Sequence, residues 1–117
     1  MKSIILVGMP GCGKSTLGVI LAKEMGLDFV DTDIVIQQRT GFLLQETLER
    51  RGVSALLDEE ENAILSLDMT KPRVVSTGGS AVLRESSMKH LCKNGICVYI
   101  KLSCAEIEKR INNRDSR

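Results

Sequence analysis

The stretch Gly8-Met9-Pro10-Gly11-Cys12-Gly13-Lys14-Ser15-Thr16, "GMPGCGKST" at residues 8–16, decides the fold. Gly8, Gly13, Lys14 and Ser15 meet the spacing G-x-x-x-x-G-K-[ST] of a phosphate-binding loop. The aliphatic run Ile4-Ile5-Leu6-Val7 before it reads as a buried strand, and a helical pattern follows it. In that setting the glycines let consecutive backbone N–H groups turn toward an anion, and the helix N-terminus adds its partial positive charge. Lys14 is then placed to reach the β- and γ-phosphates of a nucleotide, and the Ser15 hydroxyl to hold Mg²⁺.

Outward from the loop, short β-branched runs at 3–7, 29–32, 73–76 and 96–102 read as strands with helical patterns between them. This alternation predicts an α/β fold: a parallel sheet with helices on both faces, joined by right-handed crossovers. The first helix is expected from Lys14 to Met25, with Leu17, Ile20, Leu21 and Met25 on its apolar face and Gly26 as its stop. A second starts after Asp33 and ends near Gly41. Two more, divided at Gly52, fill 43–68, where Asp58-Glu59-Glu60-Glu61 reads as a solvated face. Helices are also expected over 84–93 and 104–113.

Composition narrows the function. The 117 residues carry a net charge of +1 and 3% aromatics, so neither a basic footprint nor a stacking platform for nucleic acid is present. The apolar run at 4–7 is too short for a membrane span or a signal core, which places the chain in the cytoplasm. The four cysteines, Cys12, Cys92, Cys97 and Cys104, lack C-x-x-C spacing and are expected as reduced thiols. No base-reading N-K-x-D element of a GTPase occurs, and the chain is too short for a motor or transporter ATPase. A small-molecule or nucleotide kinase remains.

The acceptor side is expected at the same sheet edge. Asp31-Thr32-Asp33 ends the second strand, with both carboxylates on one side by the period of two. One suits the Mg²⁺ shell and the other a substrate hydroxyl, whose proton it can take; Asp33 also suits the N-cap of the next helix. The third strand runs into Ser76-Thr77-Gly78-Gly79-Ser80, where adjacent glycines allow close approach of a ligand.

The succession "GMPGCGKST", "FVDTD", "QQRTG", "VVSTGG" and "VYIKL" resembles the shikimate kinase family over essentially the whole chain. The resemblance implies a three-layer P-loop NTPase fold and transfer of the γ-phosphoryl of ATP to the 3-hydroxyl of shikimate. The reaction uses Mg²⁺ and belongs to chorismate and aromatic amino-acid biosynthesis. It implies that Gly11, Cys12, Gly13, Lys14, Ser15 and Thr16 bind ATP, that Ser15 and Asp31 hold Mg²⁺, and that Asp33 is the base. Gly78 and Gly79 would contact shikimate, Arg110 the adenine side, and Arg117 the ATP phosphates as a catalytic group. A cytoplasmic monomer is expected.

Two departures stand out. The family arginine that grips the shikimate carboxylate falls on Leu57, which offers no bidentate fork, and the family's third glycine falls on Ser80. Those changes leave open a kinase for another small hydroxylated acceptor, or a silent nucleotide-binding module. The family continues beyond Arg117 with a lid, a second gripping arginine and a fifth strand, so 1–117 reads as one C-terminally incomplete kinase domain with its first four strands present.

Overall fold

The computed structural model describes residues 2–8, 13–78, 80–93 and 95–100. Their elements run β1 (Ser3–Gly8), α1 (Lys14–Met25), β2 (Asp28–Asp31), α2 (Thr32–Thr40), α3 (Leu44–Leu65), β3 (Arg73–Ser76), a 3-10 turn (Ala81–Leu83), α4 (Glu85–Cys92) and β4 (Gly95–Ile100). All pairings are parallel, in the order β2-β3-β1-β4. β1 is central, with Ile5 opposite Val75 on one side and Cys97 on the other.

Alternation along β1 builds the layers. Ile5 points into a cluster with Ile64, Met69, Val75, Ala81 and Leu91, from the side of α3 and α4. Leu6 points the other way, to Ala22 of α1 and to Val74, with Phe29 and Leu27 packed against them. Ile5, Leu6, Ile64 and Leu91 are all 0% exposed. At roughly 2 kcal/mol for each such side chain, these two clusters supply much of the drive to fold. The expected three-layer α/β arrangement follows.

The described strand and helix positions agree with the sequence reading to within two residues except at the end of α3, which stops at Leu65 and not at 68, and Gly26 and Gly41 close α1 and α2 in the left-handed conformation. The split at Gly52 is also present: its φ of 87° and ψ of 176° break α3 into two arms. The expected helix over 104–113 lies outside the described residues.

Three expectations are corrected. The apolar face of α1 is not the one the larger side chains suggested: Leu17, Ile20 and Met25 are exposed, while Gly18 and Ala22 are buried. Gly18 sits against the Phe29 ring and Leu6, where a Cβ would collide, so α1 approaches the sheet through its small residues. Asp33 is not the N-cap of α2; Asp31 is, because its carboxylate accepts the Asp33 N–H at 2.9 Å. Cys92 and Cys97 are not free thiols but a disulfide, since the tight α4–β4 connection brings their Cα atoms to 6.3 Å.

Candidate active site

The carboxyl ends of β1, β2 and β3 lie side by side, and the chemistry collects there. From β1 the chain passes through the loop into α1, whose N-cap Gly13 has φ 79° and no side-chain cap. The N-terminus of such a helix carries a partial positive charge that favours an anion. Lys14 opens α1, is buried, and donates from Nζ to the Gly8 carbonyl at 2.9 Å. Next to it, Ser15 donates to Asp31 Oδ2 at 2.8 Å and lies 3.4 Å from the Ser76 hydroxyl at the end of β3.

Asp31 therefore has both oxygens engaged, one by Ser15 and one by the Asp33 backbone. A hydroxyl and a carboxylate in contact form a hard oxygen pair suited to Mg²⁺. Two residues on, Asp33 stands at the start of α2. Burial holds its carboxyl above the ordinary value of 3.8, the Asp31 charge adds to that, and Lys14 opposes it.

The third wall is the turn after β3. Thr77 is fixed by two bonds to the Leu6 carbonyl, from its N–H at 3.1 Å and its hydroxyl at 3.0 Å. Gly78 donates its N–H to the Thr32 hydroxyl at 3.1 Å. A Cβ at Gly78 would stand 2.6 Å from Glu60 Oε2 and 2.9 Å from Asp33 Oδ1, so two carboxylates converge on this glycine. A methyl here would require one of these two carboxylates to shift.

Glu60 corrects the reading of 58–61 as a solvated face. It is 4% exposed and accepts the Ser80 hydroxyl at 2.9 Å. Burial raises its pKa above 4.5, Ser80 pulls it down, Asp33 raises it, and Arg84 lowers it. The signal was available: Glu60, Ala63 and Ile64 are all buried and share one helical stripe by their spacing. Thr32 was also missed as part of the site, being only the spacer between two aspartates in the sequence.

Of the residues expected at the site, Gly13, Lys14, Ser15, Asp31, Asp33 and Gly78 are brought together, and Thr16 lies exposed in the first turn of α1. Gly11, Cys12, Gly79, Arg110 and Arg117 lie outside the described residues. Leu57 is half-buried on α3, one turn before Glu60. Among the described residues, no helix is long and apolar enough to cross a membrane.

Comparison with known proteins gives one consistent answer. The family model described as shikimate kinase matches residues 10–117. A shikimate kinase of Thermodesulfovibrio yellowstonii is 38% identical over 117 residues, covering 100% of this chain and 68% of that protein. One from Paracidovorax citrulli is 41% identical over 117 residues, covering 98% of this chain and 64% of that protein. Among solved structures, the shikimate kinase of Acinetobacter baumannii in complex with shikimate superposes with a TM-score of 0.85 at 30% identity, covering 100% of this chain and 65% of that one. The chain thus spans about two thirds of the length of the relatives it matches.

Proposed function

We propose that this chain, which belongs to the shikimate kinase family, carries the nucleotide site and the core of the acceptor site of an ATP-dependent kinase acting on the 3-hydroxyl of shikimate. The observation that carries the reading is the position of Asp31. It bonds Ser15 of the phosphate side and the backbone of Asp33 on the acceptor side, tying donor and acceptor halves into one cluster.

The chemistry follows from placement. The terminal P–O bond of ATP breaks as the acceptor oxygen bonds to phosphorus, and the hydroxyl proton passes to Asp33. Lys14, carried on the first residue of α1, offsets charge on the transferring phosphoryl together with the loop amides. Ser15 and Asp31 are the residues that would hold Mg²⁺, which would supply charge neutralisation to the nucleotide. Gly78 presents its backbone to the acceptor, with Gly79 beside it in sequence. By family resemblance Gly11 to Thr16 and Arg110 serve the nucleotide, and Arg117 the developing charge. A cytoplasmic monomer is part of the same proposal.

The test is ADP release from Mg-ATP by this chain with and without shikimate, run beside Leu57→Arg. Stimulation by shikimate supports the assignment, and rescue by the variant alone identifies Leu57 as the weak point. Stimulation by neutral polyols and not by shikimate would transfer the assignment to another acceptor.

A further inference from the structure

The acceptor turn carries a bond that neither the phosphate motif nor the D-x-D pair requires. Ser80 stands where the family keeps a glycine, and its hydroxyl reaches across to Glu60 Oε1 at 2.9 Å. Glu60 belongs to α3, twenty residues earlier, and is buried. Its Oε2 packs on Gly78, the same glycine that Asp33 Oδ1 flanks.

The surroundings explain why this bond matters. The residue one turn before Glu60 on its own helix is Leu57, which has nothing to donate. Arg84 attracts Glu60 from a distance but spends its guanidinium on Asp58 at 3.0 Å and Glu61 at 3.3 Å. A buried carboxylate left without its donor is costly, so the hydroxyl of Ser80 holds α3 and the turn together.

We infer that Ser80 and Glu60 form a clamp that fixes Ser80 and Gly78 onto α3, and that they are positioning residues for the acceptor in this chain. Glu60 acts through Gly78 and the neighbouring Asp33, and Ser80 acts through Glu60. The two departures from the family pattern are then coupled: where position 57 is aliphatic, the polar contact to the buried glutamate comes from position 80. The effect on the acceptor rests on the kinase reading above; the clamp itself does not.

The experiment measures amide hydrogen exchange and steady-state kinetics together, on this chain and on Ser80→Ala, Glu60→Gln, Glu60→Ala and the double variant Ser80→Ala/Glu60→Ala. In Ser80→Ala, exchange at Gly78 and Ala81 should quicken by about tenfold while Ile5 and Leu6 stay unchanged, and KM for shikimate should rise by a similar factor at constant KM for ATP. Glu60→Gln, which keeps an oxygen for Ser80, should restore most of what Glu60→Ala loses. The double variant should be no worse than Glu60→Ala alone. Unmoved exchange in Ser80→Ala, or losses that simply add in the double variant, would overturn the clamp. Should neither the parent chain nor Leu57→Arg show shikimate-dependent ADP release while exchange still responds, the clamp stands and the proposed function falls.

Discussion

The proposed phosphate side and the proposed acceptor side are built on different plans. The phosphate side is contiguous: Gly13, Lys14 and Ser15 follow one another at the start of α1, and the helix axis itself aims them. The acceptor side is assembled: Asp33 comes from α2, Glu60 from α3, and Gly78 and Ser80 from the turn after β3. A contiguous site fails at a single residue, whereas an assembled one loses its geometry when any contributing element shifts.

That contrast sets the order of expected effects. Lys14→Ala should lower ADP formation by about a thousandfold, since it removes the charge on the transferring phosphoryl. Its thermal midpoint should fall by only a few degrees, because the hydrogen bond from Nζ to the Gly8 carbonyl is lost while the sheet core is untouched; comparable turnover in the variant would remove Lys14 from the mechanism. Asp33→Asn should reduce kcat by about a hundredfold while leaving ADP affinity unchanged, as measured by binding of a fluorescent nucleotide. A matching loss of nucleotide affinity would mean that the two sides are not separable.

Gly78→Ala probes the assembled side through its packing. The new methyl must displace Glu60 or Asp33, so a stability loss of about 1–3 kcal/mol in urea unfolding is expected, with shikimate KM raised more than ATP KM. Leu57→Arg should act in the opposite sense, lowering shikimate KM by about tenfold if the new guanidinium reaches the acceptor carboxylate.

The smallest effect is a pH dependence. Burial and Asp33 keep the folded-state pKa of Glu60 above 4.5, so the folded chain holds that proton more tightly than the unfolded chain does. Stability from this group is therefore fully present below 4.5 and declines as pH rises through the folded value. Glu60→Gln lacks the decline. Its urea midpoint should gain on the parent's between about pH 4 and pH 7, and a constant gap across that range would show that Glu60 titrates normally.

The same contrast explains what was legible in the sequence. Lys14 and Ser15 were readable because their chemistry is local and their spacing is fixed by the loop. β1 and β3 were readable because both of their faces are covered, which leaves continuous aliphatic runs; β4 carries such a run although Ile96, Val98 and Tyr99 are exposed. Glu60 was not, because an acidic run on a helix usually faces water, and only the stripe it shares with Ala63 and Ile64 gives its burial away. The inward face of α1 was misjudged for a related reason. Residue size suggested Leu17 and Ile20, whereas the close approach to Phe29 selected Gly18.

The break at Gly52 gives α3 a mechanical character that its length conceals. With φ at 87°, the helix is two rods on a pivot and not a single beam. The outer rod, on the Leu44 side, is tethered by Arg50 over the Phe42 ring, 5.0 Å from its centre, and the inner rod holds Glu60 among the buried residues. One strut crosses the pivot, the Arg51–Glu59 pair at 3.2 Å. The bend therefore lets the outer arm take a direction set at Phe42 while the inner arm keeps Glu60 beside Gly78.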